Sequence, residues 1–264
     1  MQKRHLDRKL YFEEQSITTR DYVIPYISQH LQLKRGMRVL EIGCGEGGNM
    51  PPFLEIGCTV VGIDILESKI EKARRFTADH PQRHQLTLQV QDIYDVDPST
   101  FEPFDLIVMR DVIEHIPNQD RFMAFLKPFL KEDGLIFFGF PPWYMPFGGH
   151  QQVCKNKLLA VMPWYHLLPV PLYRRILRAG GESDNKIKNL LANKRTGISI
   201  ERFEGILRQL DFSIKNRTLF LFNPNYKVKY NLPPTRQVPI LDAIPFARNF
   251  YTTCVYYLVE KASL

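Results

Sequence analysis

The chain predicts an α/β fold: a mostly parallel sheet with helices on both faces. Three observations carry this. Val39-Leu40-Glu41-Ile42 is an apolar strand that runs directly into the glycine turn Gly43-Cys44-Gly45-Glu46-Gly47-Gly48. Thr59-Val60-Val61-Gly62-Ile63 is a second apolar run, and it ends on Asp64. Beyond it, short strand-like runs alternate with helical stretches, the pattern of parallel strands joined by crossover helices.

The elements follow in order. Residues 1–34 read as a helical arm in two pieces, divided near Ser16, and residues 35–264 as one domain. After the first two strands, Leu86-Thr87-Leu88-Gln89-Val90 alternates at period two and leads to Asp92-Ile93. Phe104-Asp105-Leu106-Ile107-Val108-Met109 is a compact buried strand ending at Arg110-Asp111, and Gly134 to Gly139 is another, ending at Pro141-Pro142. Helices are expected over roughly 48–56, 67–79 and 119–131. Residues 141–197 form an insertion after the fifth strand. Ser199 is suited to cap a helix reaching Leu210. Phe212 to Phe222 and Asn249 to Val259 read as two late strands with no long helix between them. They predict an antiparallel hairpin closing a sheet of seven strands. Their connection, 223–248, is rich in proline and is a candidate second wall for a pocket.

In such sheets ligands bind beyond the carboxyl ends of the strands. Gly43, Asp64, Asp92 and Asp111 each follow such an end and should converge on one crevice. Glycines let a backbone approach a ligand with no Cβ in the way. A carboxylate about 20 residues further on can accept hydrogen bonds from ribose hydroxyls. The crevice is therefore expected to hold an adenosine-containing cofactor. Gly43, Gly45 and Gly48 fit G-x-G-x-x-G, which leaves an NAD(P)-dependent oxidoreductase open. Gly43, Gly45 and Gly47 fit G-x-G-x-G behind Glu41, an acid that would repel a pyrophosphate.

The series Val39 to Gly47, Gly62-Ile63-Asp64, and Phe104-Asp105 leading to Val112-Ile113-Glu114-His115-Ile116-Pro117 resembles the class I S-adenosylmethionine (SAM) methyltransferases, particularly the ubiquinone and menaquinone branch. The resemblance covers roughly residues 35–141 well and 199–260 more loosely. It implies a Rossmann-like sheet, SAM as cofactor, and a role for each matching position. Backbone from Gly43 through Cys44 to Gly45 would hold the methionyl part, with Glu41 bracing the loop or the amino group. Asp64 would take the ribose hydroxyls and Ile65 would pack on the adenine. Asp92 would accept from the adenine amino group and the Ile93 N–H would donate to the ring. Backbone near Arg110 would line the sulfonium end. A non-catalytic SAM-binding interaction protein remains an alternative.

Structural uses of the same residues stand beside these. Asp64 could cap the following helix. Asp92 shares an acidic turn with Asp95 and Asp97. Glu114 and His115 could simply occupy a helix.

The insertion overhangs the expected acceptor pocket and opens on Trp143, Tyr144, Phe147 and His150. Aromatic side chains suit a flat or apolar small-molecule acceptor. A hydroxyl acceptor must lose its proton, and histidine is the side chain best matched to that near neutral pH. His150 is the leading candidate base, with Asp111 the alternative; Trp143 and Tyr144 are candidate acceptor contacts. An oxygen is the expected target atom, ahead of nitrogen or carbon.

At 264 residues, 44% hydrophobic and 24% charged, the chain has ordinary globular composition. Cys44, Cys58, Cys154 and Cys254 lack a C-x-x-C spacing, so no disulfide framework and no metal is expected. The charged N-terminus is unlike a signal peptide, which implies a cytoplasmic location. The net charge of +7 concentrates between residues 155 and 195, but no nucleic-acid signature accompanies it. Prolines break the apolar run 158–173, so it is not a spanning helix. It reads first as a lid, and second as a membrane-surface contact through 158–178.

Overall fold

The computed structural model describes residues 7–262; residues 1–6, the start of the expected arm, and 263–264 lie outside it. The strands are β1 (Arg38–Ile42), β2 (Thr59–Asp64), β3 (Leu86–Val90), β4 (Phe104–Arg110), β5 (Leu130–Phe140), β6 (Phe212–Phe222), β7 (Thr235–Arg236) and β8 (Cys254–Lys261). Alternation along them decides which face each side chain covers. Val39, Val60, Leu106, Val108, Phe137, Tyr256 and Leu258 enter one core layer. Their neighbours Leu40, Val61, Ile107, Met109, Phe138 and Tyr257 enter the other. Strands buried on both faces read as continuous apolar runs, which is why β1, β2 and β4 are legible.

The sheet order is β3-β2-β1-β4-β5-β8-β6-β7. β1 to β5 run parallel. β8 lies antiparallel between β5 and β6, which gives the expected reversed end. The two-residue β7 pairs with β6 and adds an edge strand to the seven expected. Pro233 and Pro234 before it and Pro239 after it leave too short a run to show periodicity. The strand order reverses between β1 and β4, and the crevice at such a switch point is where doubly wound sheets take ligands.

The arm is one helical run rather than two pieces divided near Ser16. α1 (Arg8–Thr18) passes through a π turn at Thr19–Val23 into α2 (Ile24–Ile27). The Ile24 N–H reaches back to the Thr19 carbonyl, and the widening falls just before Pro25, which has no N–H to offer the preceding turn. The crossover helices are α3 (Pro51–Ile56), α4 (Glu67–Phe76) and α5 (Gln119–Leu126), shorter than their expected ranges.

The insertion folds into three helices, α6 (Lys157–Val161), α7 (Val170–Ala179) and α8 (Asp184–Thr196). They close over their own small core of Cys154, Leu159, Tyr165, Tyr173, Leu177 and Ile187. Thr196 Oγ1 donates to the Glu114 carbonyl at 2.7 Å and Gln119 Nε2 donates to the Thr196 carbonyl at 2.6 Å, fastening α8 beside the 113–115 turn. α9 (Ile200–Gln209) follows, and Ser199 Oγ accepts from the Arg202 N–H at 3.1 Å, the expected cap. The 223–248 connection carries α10 (Pro224–Tyr230), α11 (Pro239–Asp242) and α12 (Ala247–Phe250).

Candidate active site

The turn after β1 places Gly43, Gly45 and Gly47 at φ +67°, +56° and +84°, where a side chain is strained. Gly43 is also closed sterically, since a Cβ there would lie 2.6 Å from Val112. Over Gly45 the space is open: a Cβ would meet nothing nearer than Lys69 Cδ at 3.9 Å. The Gly45 N–H donates to Asp64 Oδ2 and the Leu66 N–H to Asp64 Oδ1, both at 2.9 Å. Asp64 thus braces the loop, and each of its oxygens keeps a lone pair for a ligand. Ile65 beside it is 63% exposed, an aliphatic face turned to solvent. Asp92 Oδ1 accepts from the Tyr94 N–H at 3.0 Å, so it has a capping role of its own. The Ile93 side chain is buried in the core, which leaves its backbone as the part able to meet a ligand.

Glu41 is buried at the end of β1. Its Oε1 accepts from Asn49 Nδ2 at 2.6 Å, while its Oε2 is buried without a partner. Burial pushes its pKa from 4.5 up to about 7, against the pull of the Asn49 hydrogen bond and of Arg110. This raised pKa has a signed consequence. Native Glu41 holds its proton to higher pH than the unfolded chain, so its contribution to stability is present below about pH 4.5 and lost as pH rises through about 7. A bound ammonium would favour the ionised form. Binding of S-adenosylhomocysteine (SAH) near pH 6 should therefore release a proton, and near pH 8 should release almost none. Calorimetry in buffers of different ionisation enthalpy checks this, and Glu41→Gln should abolish the release.

A pyrophosphate fits this loop poorly. Dinucleotide sites use the N–H groups opening the helix after the glycine turn. Here α3 opens on Pro51 and Pro52, neither of which has an N–H. Gly48, third in the dinucleotide spacing, is covered by the arm: a Cβ there would lie 2.6 Å from Gln15 Oε1 and 2.7 Å from the Phe12 carbonyl. Glu46 anchors that arm, accepting from Arg8 Nε at 2.8 Å and from Lys72 Nζ at 3.1 Å.

Past the end of β4 lies a cavity of about 650 Å³. The β4 end contributes Asp111 and His115; the insertion contributes Met145, Phe147 and His150; the 223–232 segment contributes Tyr226 and Tyr230. The proline-rich connection does form a wall, as expected. Asp111 and His150 have φ of +56° each, held in the left-handed region at the cavity edge. The His115 and His150 rings stand 4.8 Å apart. Burial, then the neighbouring His115 and His166, push the His150 pKa down to about 4, so it is neutral near pH 7. Glu114 is buried with no hydrogen bond to either carboxylate oxygen, its Oε1 lying 3.8 Å from His115 Nε2, and burial followed by the charge of Asp111 drives its pKa well up. Among the described residues, Glu114, His115 and His150 bring ligand atoms within 4.8 Å of one another and could hold a small cation. Cysteine spacing gave no hint of this set, because it joins a turn after β4 to a loop after β5.

Two expected acceptor contacts sit elsewhere. Trp143 packs edge-on against His166 at 4.7 Å with Lys194 over its ring, and Tyr144 packs on Phe250 at 5.6 Å. Neither lines the cavity. Arg110 was expected to matter through its backbone, yet its buried side chain spans Thr19, Asn49 and Asn225. Partners so far apart in sequence leave no local signal.

The site thus joins a doubly wound sheet, an open glycine loop, a carboxylate that braces it and, past the end of β4, an aromatic-lined cavity. The family model described as a methyltransferase domain matches residues 17–157. The chain belongs to the methyltransferase-domain family. The ubiquinone biosynthesis O-methyltransferase of Pasteurella multocida is 31% identical over 122 residues, which is 44% of this chain and 50% of that protein. The chain spans about half the length of the curated relatives it matches. Among solved structures, the plantazolicin methyltransferase BpumL in complex with SAH aligns over 96% of this chain and 84% of its own, with TM-score 0.53 and 14% identity. The magnesium protoporphyrin IX methyltransferase of Synechocystis with bound SAM aligns over 94% and 80%, with TM-score 0.52 and 16% identity. At such identities the likeness is one of fold.

Proposed function

We propose that the chain is a SAM-dependent methyltransferase acting on an oxygen of a small, aromatic or lipid-like acceptor. The observation that carries this is the open Gly45 loop braced by Asp64, together with an aromatic-lined cavity past the end of β4 that holds the His115 and His150 imidazoles. SAM would supply the methyl group. Backbone from Gly43 through Cys44 to Gly45, with Glu41 Oε2, would hold its amino-acid part. Asp64 would take the ribose, Ile65 the adenine face, and Asp92 with the Ile93 N–H the adenine edge. The acceptor would lie in the cavity with its hydroxyl at His150 and Asp111. An imidazole held near pKa 4 is a weak base for a resting hydroxyl. The hydroxyl's acidity rises steeply as the new carbon–oxygen bond forms, however, so a neutral, positioned acceptor of the proton suffices late in the step. Much of the rate enhancement then comes from alignment. A panel of hydroxylated aromatic acceptors, assayed with radiolabelled SAM, tests this reading. Labelled ether products support it, and label appearing only on nitrogen or carbon would overturn the O-methyl assignment.

In this reading the 141–197 insertion is the lid of the acceptor pocket and residues 1–34 are an arm over the cofactor. One observation favours an added role for the lid. Leu158 and Val161 on α6 are 66% and 65% exposed, and Arg174, Arg175 and Arg178 are exposed on α7. Among the described residues no helix is long and apolar enough to cross a membrane. Apolar and basic groups together suit contact with an anionic bilayer surface. Sedimentation with phosphatidylglycerol vesicles should pull down the protein at low salt. Leu158→Asp with Val161→Asp should leave it in the supernatant. Equal binding to neutral vesicles would argue against this role. A cytoplasmic location fits a protein that meets the membrane from its surface.

A further inference from the structure

The far end of the insertion reaches back to the cavity through one side chain. Asn193, half-buried in the last turn of α8, places its Oδ1 3.2 Å from His115 Nδ1. Backbone contacts seat the two residues together. Gln119 Nε2 donates to the Ile113 carbonyl at 3.1 Å and to the Thr196 carbonyl at 2.6 Å, and Thr196 Oγ1 donates to the Glu114 carbonyl at 2.7 Å. The turn that carries His115 and the end of α8 are thus tied as one unit, with Gln119 buried at their junction.

A neutral imidazole has one N–H and one lone pair, and the hydrogen bond made by one nitrogen sets the state of the other. An amide oxygen only accepts, so His115 Nδ1 carries the hydrogen toward Asn193 and Nε2 carries the lone pair. Glu114 Oε1 lies 3.8 Å from that Nε2, beyond hydrogen-bond reach, so the carboxyl does not occupy the lone pair. The His150 ring stands 4.8 Å from the His115 ring, centre to centre. Asp111 and Lys229 also line the cavity, one favouring a cation there and the other opposing it. In the proposed reaction the hydroxyl proton passes to His150 as the carbon–oxygen bond forms. The imidazolium so made has an N–H on both nitrogens. A His115 ring with its lone pair at Nε2 offers that cation an acceptor, whereas the opposite tautomer would confront it with another N–H.

We propose that Asn193 is a positioning residue: from the insertion it fixes the His115 tautomer, and His115 Nε2 then accepts from the protonated His150. The assignment rests on the methyltransferase reading above and makes α8 a working part of the site rather than a cover alone.

Two measurements on the full chain test it. Imidazole nitrogen NMR shifts report which nitrogen of each ring is protonated, with His115→Gln assigning the His115 signals. Methyl transfer to an acceptor taken from the panel reports the consequence. In the unaltered protein His115 should show a protonated Nδ1 and an unprotonated Nε2. Asn193→Ala should lose that state and lower kcat by about tenfold, with SAH affinity unchanged. Asn193→Asp keeps an acceptor oxygen and should retain both the state and most of the rate. An unprotonated Nδ1 in the unaltered protein would overturn the proposal, and this reading does not depend on any variant folding. A ring state untouched by Asn193→Ala would also overturn it, any loss of rate then reflecting only the seating of α8. Failure of the unaltered protein to methylate any acceptor would instead defeat the methyltransferase reading, and the nitrogen shifts would still decide whether Asn193 fixes the ring.

Discussion

Asp64→Ala should weaken SAM and SAH binding by about a hundredfold, a loss of about 3 kcal/mol. The size follows from two roles carried by one carboxylate. Asp64 would accept from the ribose hydroxyls, and hydrogen bonds to a charged acceptor are the stronger kind. It also holds the Gly45 and Leu66 N–H groups at 2.9 Å, so its removal leaves the cofactor loop unbraced. Asp64→Asn keeps one acceptor oxygen and should fall between the two. Because the residue is only 6% exposed, melting temperatures must accompany the titrations to separate lost contacts from lost fold. Unchanged affinity in a folded Asp64→Ala protein would remove the ribose assignment.

His150→Asn should lower kcat by about a hundredfold while leaving SAH affinity unchanged, because the residue lies in the acceptor cavity and away from the glycine loop. Asp111→Asn tests the alternative proton acceptor, and the larger loss identifies the group that takes the proton. The pH dependence adds a second readout. With its pKa pushed down to about 4, His150 is already neutral throughout the range from about pH 6 to 8. The profile of kcat should therefore show no acid limb there. A limb centred near the ordinary histidine value would show a base other than His150. An unchanged kcat in His150→Asn would return the residue to a purely structural part in the turn before Gln151.

The shared edge of the strand ends was legible because its parts are local. A strand pattern, a glycine turn and a carboxylate at the next strand's end lie within a few tens of residues, and parallel-sheet topology then brings Gly43, Asp64, Asp92 and Asp111 to one edge. The acceptor side was less so. His150 could be singled out as a loop histidine, but its partner His115 is supplied by the turn after β4, and nothing in the spacing joins the two. Trp143 looked like an acceptor contact because aromatics in a loop suit a flat ligand. Its ring instead packs within the insertion, against His166 and the end of α8, where a Cβ on Gly197 would come within 2.3 Å of it. The arm's path through Ser16 was obscured by polar residues that favour caps in isolation, and there tertiary packing decided otherwise. Short elements such as β7 and α10 carry too few residues for any period to show.

Titration of the purified protein with SAH and, separately, with NADH tests the central claim most directly, since it asks which nucleoside cofactor the glycine loop accepts. The open Gly45 loop, the buried Glu41 and the two prolines opening α3 predict saturable SAH binding and no NADH binding. Binding of NADH with none of SAH would contradict the methyltransferase account and leave the roles assigned to His150 and Asp111 without support.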